Sequence, residues 1–88
     1  MLFTLFIVND KGLHARASAK FVETVERFDA SARVSRDGMD VSGDSIMGLM
    51  MLAAAKGTSI DIRVEGPEAE PLAAALRELV RGRFGESS

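Results

Sequence analysis

Apolar and polar residues alternate along this chain in two periods, and the switches between them mark seven elements. Leu2 to Val8 is a strand-like run with Phe3, Leu5 and Ile7 on one side and Thr4, Phe6 and Val8 on the other. Both sides are rather apolar, which predicts a strand inside the sheet or one whose second face is partly covered. Asn9-Asp10-Lys11-Gly12 reads as a loop. The period then lengthens. Ser18, Phe21, Val22, Val25 and Phe28 recur at helical spacing, predicting a helix over Ala15 to Arg27 with Arg16, Lys20, Glu23, Thr24 and Arg27 on its solvated side. Ala32 and Val34 alternate with Arg33 and Ser35 in a second, half-buried strand. Asp37-Gly38 is a hairpin signal, because type I′ turns need the positive φ that glycine adopts freely, and Met39 to Ser42 is the returning strand.

Gly43, Asp44 and Ser45 cap a second helix. Ile46, Leu49, Met50 and Ala53 fall on one stripe and are expected in the core, leaving Met47, Gly48 and Met51 on another flank. The run from Ser59 to Glu65 is the cleanest strand, with Ile60, Ile62 and Val64 inward and charges outward. Gly66-Pro67 breaks it. Glu68 and Glu70 favour a helix start, with Pro71 in or near the first turn, where its missing N–H costs least. Leu72, Leu76, Leu79, Val80 and Phe84 form the stripe of the third helix, Gly82 and Gly85 weaken its end, and Glu86-Ser87-Ser88 is expected to fray. The order is β-α-β-β-α-β-α. Polar outer positions on three strands place the helices on one face only, an open-faced α/β sandwich. That pattern alone does not separate several α+β architectures, ferredoxin-like ligand-binding domains among them.

Composition narrows the function classes. Eighty-eight residues predict one domain spanning 1–88 with a small core, and 47% hydrophobic with 27% charged residues is an ordinary soluble balance. No apolar run approaches a membrane span and no charged n-region opens the chain, so the expectation is a cytoplasmic protein without membrane contact. The absence of cysteine excludes disulfides and thiolate metal sites, and neither a metal nor a cofactor is expected. A net charge of −2 argues against nucleic-acid binding, which needs a basic face.

The chemistry concentrates in Gly12-Leu13-His14-Ala15-Arg16-Ala17-Ser18, which holds the chain's one histidine at a predicted helix start. Backbone N–H groups in a first turn, here those of Ala15, Arg16 and Ala17, lack intrahelical partners and face the positive end of the helix dipole. They form an anion site to which Arg16 adds a fork of donors suited to phosphate oxygens. A neutral imidazole beside such a site points to chemistry on a phosphoryl group. The plainer reading is a solvated or capping histidine, and the glycine, the helix start and Arg16 bring the two readings close to even. Ser45 likewise has a plain explanation as an N-cap.

Gly-Leu-His-Ala-Arg followed by small residues and an apolar helix resembles the active-site signature of HPr, the histidine-containing phosphocarrier family of the bacterial phosphotransferase system. Asp44-Ser45-Ile46-Met47-Gly48-Leu49-Met50-Met51-Leu52 is similar to that family's regulatory-serine motif, in the same order and separation. The resemblance covers all but the last few residues. It implies a four-stranded antiparallel sheet with three helices on one face, and a carrier rather than an enzyme. By the same resemblance, His14 would accept a phosphoryl group at Nδ1 from phosphorylated enzyme I and pass it to an enzyme IIA protein, with Arg16 stabilising the phosphate. Ser45 is then the position phosphorylated in some members by a dedicated serine kinase, and Ala17, Lys20, Met47, Gly48 and Met51 are the expected partner contacts of a monomer. Ala17 stands where most members have proline, and the chain looks more similar to the nitrogen-related, regulatory branch than to the sugar carriers. Two other classes stay open: an interaction module with little phosphorelay duty, motivated by Ala17 and the methionines, and a small-molecule-binding regulatory domain.

Overall fold

A computed structural model describes residues 1–88. The chain forms β1 (Leu2–Phe6), α1 (Ala15–Glu26), β2 (Ser31–Arg36), β3 (Met39–Ser42), α2 (Ile46–Met51), β4 (Ser59–Glu65) and α3 (Ala69–Arg81), then a 3-10 turn at Arg83–Gly85. All pairings are antiparallel and the strand order is β1-β4-β2-β3. Alternation decides which way the sheet faces. Ile60, Ile62 and Val64 of β4 and Ala32 and Val34 of β2 are buried under the helices, whereas Asp61, Arg63, Glu65 and Arg33 lie on the open face. Burying these side chains with Phe21, Leu49, Leu72, Leu76 and Val80 supplies the main driving force for the fold. The result is the expected α+β open-faced sandwich. No helix is long and apolar enough to cross a membrane.

Four expectations change. β1 is an edge strand paired only with β4, and Leu2 and Phe6 on its outer face are 70% and 64% exposed. Their apolarity does not mark a covered face, because no layer packs on that side of the sheet. The second helix is only six residues long and buries Leu49 alone, leaving Ile46 and Met50 exposed. The chain leaves the helix at Ala53, where φ is +51°, and this bend turns Leu52 and Ala54 into the core in place of Met50 and Ala53. Thr24 is buried, not solvated, and its hydroxyl donates to the Lys20 carbonyl at 2.9 Å.

The fourth change is the C-terminus. Phe84 is fully buried but lies beyond α3, in a turn where Arg83, Phe84 and Gly85 all have positive φ (57°, 55° and 80°). Left-handed backbone costs a non-glycine residue about 1–2 kcal/mol. Burial of the Phe84 ring, worth about 1.5–3 kcal/mol, and a 2.6 Å hydrogen bond from the Lys20 ammonium to the Phe84 carbonyl offset it. The turn redirects the last residues toward the start of α1, and Asp10 N–H donates to the Ser88 carbonyl at 3.1 Å. The end of the chain is docked, not frayed.

The loop between β1 and α1 is held against the segment after α2. Leu13 N–H donates to the Ala54 carbonyl at 2.9 Å, and the buried Ser18 hydroxyl donates to the Leu13 carbonyl at 3.2 Å. Gly12 makes this approach possible: its φ is +65°, and a Cβ there would lie 2.5 Å from the Ala54 oxygen. Gly12→Ala combines a left-handed alanine with a backbone clash, so stability should fall by about 2 kcal/mol or more. Urea titration should show a lower midpoint at unchanged slope, and an unshifted midpoint would contradict this seating of the loop.

Candidate functional site

His14 is the N-cap residue of α1, with extended backbone (φ −78°, ψ −174°) and no capping bond from its own side chain. The ring is therefore free for other work. Helical bonding begins with Ser18 N–H to the His14 carbonyl at 2.8 Å, which leaves the N–H groups of Ala15, Arg16 and Ala17 without partners in the fold. Arg16 is exposed and its guanidinium makes no hydrogen bond within the chain. With Asp10, Lys11, Glu86, Ser87 and Ser88 it lines an open cavity of about 370 Å³ that has no hydrophobic residue in its wall. Free donors and a dipole end thus lie at the start of α1 next to His14, and the uncommitted Arg16 guanidinium faces a cavity that Glu86 also lines.

Two members of the site are new. His14 Nε2 lies 2.5 Å from Glu86 Oε2, and Glu86 Oε1 accepts from Asn9 Nδ2 at 3.0 Å. Asn9 is fully buried and also donates to the Gly12 carbonyl at 2.9 Å, so its amide orientation is fixed by two acceptors, and its Oδ1 has no partner. The hydrogen bond from His14, then that from Asn9, holds the Glu86 carboxyl below its ordinary value. An ionised Glu86 is an acceptor only, so this contact requires the ring hydrogen on Nε2, and a neutral ring held in that way has its lone pair on Nδ1. Nothing in the local sequence reveals these contacts. Residues 14 and 86 are 72 positions apart, and a polar terminus after two glycines reads as a loose end.

The remaining predicted site residues separate into two groups. Met47 and Met51 are 73% and 63% exposed on α2, and with Ile46 and Met50 they form an apolar patch on the helix that packs beside α1. Ser45 caps α2, its hydroxyl oxygen accepting from Gly48 N–H at 3.0 Å. Gly48 is closely packed, since a Cβ would sit 3.1 Å from both Ser45 Oγ and Val41 Cβ, each of which would have to shift slightly. Ala17, expected on the partner surface, is fully buried because the third position of α1 faces the core; only its backbone N–H serves the site. Lys20, also expected there, is half-buried and its ammonium is committed to the Phe84 carbonyl, so it anchors the C-terminus.

The fold is that of a small α+β protein that presents one imidazole at a helix start whose first three N–H groups have no partner in the fold. Comparison with known proteins is specific. The family described as "PTS HPr component phosphorylation site" matches residues 2–82. Phosphocarrier protein HPr of Neisseria meningitidis serogroup B is 49% identical over 80 residues, covering 91% of this chain and 90% of that protein. HPr of Xylella fastidiosa 9a5c is 43% identical over 84 residues, covering 96% and 94%. Among solved structures, HPr-C-His from Thermoanaerobacter tengcongensis superposes with a TM-score of 0.94 at 36% identity, covering 100% and 99% of the two chains. HPr from Bacillus anthracis superposes at 0.86 with 38% identity, covering 91% and 95%. The chain belongs to the HPr family of the phosphotransferase system.

The docked C-terminus has a pH dependence. A carboxyl held below its ordinary value contributes stability above that value and loses it as the pH falls through the lower one. Docking of residues 86–88 should therefore be complete at neutral pH and should be lost on acidification below 4.5, the ordinary value for Glu86. Amide NMR signals of Ser87 and Ser88 should move to mobile positions in that range, before the core unfolds. Unchanged signals there would contradict the contact.

Proposed function

We propose that this chain is a phosphoryl carrier in which His14 Nδ1 takes a phosphoryl group from phosphorylated enzyme I and yields it to an enzyme IIA protein. The observation that carries this reading is the coincidence, in an HPr-family chain, of an Nδ1 with no hydrogen-bond partner in the fold and the unpaired N–H groups of Ala15, Arg16 and Ala17. Those donors and Arg16 would hold the three phosphate oxygens. A carrier of this kind needs no metal or cofactor, because its partners contribute the rest of the transfer machinery. It is a substrate and donor, not a catalyst. The exposed patch of Ile46, Met47, Met50 and Met51 would dock enzyme I and the acceptor in turn, which suits a monomer in the cytoplasm. The resemblance of its motifs to the nitrogen-related branch supports an acceptor of that regulatory type over a sugar transporter. Ser45 supports a second input. A phosphate there would place roughly −1.5 to −2 charges beside the apolar patch and weaken docking.

Intact mass after incubation with phosphoenolpyruvate and enzyme I should show one added phosphate, labile in acid and absent in His14→Ala. Arg16→Ala should still fold and accept phosphate about 10–100-fold more slowly, the equivalent of one or two charge-assisted hydrogen bonds. No adduct on folded protein with active enzyme I would overturn the reading. If His14→Ala then kept full partner binding and full cellular effect, the chain would be an interaction module.

A further inference from the structure

Three features hold the Glu86 carboxylate on the imidazole. Both of its oxygens are engaged, Oε1 by Asn9 and Oε2 by His14. The main chain before it is fixed by the left-handed turn and the Lys20–Phe84 bond, and the main chain after it by the bond from Asp10 N–H to the Ser88 carbonyl. Side-chain exposure is 28% for His14 and 15% for Glu86, so the pair is partly shielded from water. The other charges around the ring do not substitute for Glu86. Lys11 and Arg16 beside the cavity are cationic, as is Arg83 in the turn, and Asp10 is paired with the Lys56 ammonium at 2.8 Å. α2 carries no titratable residue. Glu86 is the one carboxylate in contact with the imidazole.

We propose that Glu86 is a positioning residue that keeps the hydrogen on His14 Nε2 through both halves of phosphoryl carriage. This rests on the carrier reading above. On uptake, the Nδ1 lone pair forms the P–N bond while the donor's bond to phosphorus breaks and its electron pair leaves with the donor. The ring, still bearing hydrogen at Nε2, becomes cationic against the Glu86 carboxylate. On donation, the acceptor's lone pair forms the new bond to phosphorus, the P–Nδ1 pair returns to Nδ1, and the ring departs as neutral imidazole. A ring that had lost its Nε2 hydrogen would have to depart as an imidazolate, a far poorer leaving group. Glu86 thus serves acceptance by leaving Nδ1 unprotonated and release by keeping Nε2 protonated. Its part resembles that of the aspartate behind a catalytic histidine, which fixes the tautomer and stabilises the imidazolium without itself taking the proton.

The test is the pH profile of phosphohistidine breakdown in the wild-type chain and Glu86→Gln, each loaded with phosphoramidate, whose P–N bond breaks with loss of ammonia. This donor needs no protein partner, so docking does not enter. Glutamine preserves size and an acceptor oxygen but removes the charge. Hydrolysis followed by phosphorus NMR from about pH 5 to pH 9 should fall as Nε2 loses its hydrogen, with the half-fall about one pH unit lower in Glu86→Gln. Transfer from the loaded variant to enzyme IIA at neutral pH should be correspondingly slower, by about tenfold, while its thermal unfolding stays close to wild type. Coincident profiles in the two loaded proteins, or a phosphate attached at Nε2 in the wild type, would overturn the role of Glu86. A chain that loads from phosphoramidate but never from enzyme I would overturn the carrier reading, and the role with it.

Discussion

The orientation of the imidazole depends on one contact between distant parts of the chain, the hydrogen bond between His14 Nε2 and the Glu86 carboxylate. In the proposed carrier it would decide which ring nitrogen attacks phosphorus, and it exists only because distant parts of the fold converge. Gly12 lets the loop approach the Ala54 carbonyl, Ser18 ties down Leu13, and the turn at Arg83–Gly85 sends the chain back toward α1. The turn would be unfavourable in isolation. It persists because Phe84 is buried and Lys20 reaches its carbonyl.

Division of labour follows from this frame. The sheet and the buried faces of α1 and α3 supply stability, while the first turn of α1 is left with unsatisfied donors that a stability argument alone would cap. The exposed methionines of α2 serve no core either. A six-residue helix contributing one buried side chain adds little to the core, and it presents a flexible apolar surface on the helix packed beside α1. Departures of this kind are expected where local rules yield to function.

Features with local causes were legible in the sequence. Clean alternation revealed β4, Asp37-Gly38 the hairpin, Ser45 the cap and Gly12 through Arg16 the start of α1, because each depends on neighbours within a few residues. Position within the sheet was not legible for β1, since apolar residues on both sides look the same at an edge and in the interior. The α2 stripe failed at Met50 and Ala53 because helical periodicity assumes a helix long enough to continue it, and the positive φ at Ala53 ends it. Lys20 and Ala17 sit at positions that read as exposed until the C-terminal turn and the core are in place. Asn9 and Glu86 were invisible because their roles arise only when residues 9, 14 and 86 meet.

The central claim concerns a single hydrogen atom, and nitrogen NMR of the His14 ring in the unphosphorylated chain at neutral pH observes it directly. The account predicts the neutral tautomer with hydrogen on Nε2, which gives Nε2 a pyrrole-type shift and Nδ1 the shift of a nitrogen with a free lone pair. A hydrogen found on Nδ1 would contradict it, because the nitrogen facing the carboxylate would then be bare and the nucleophile would already be occupied.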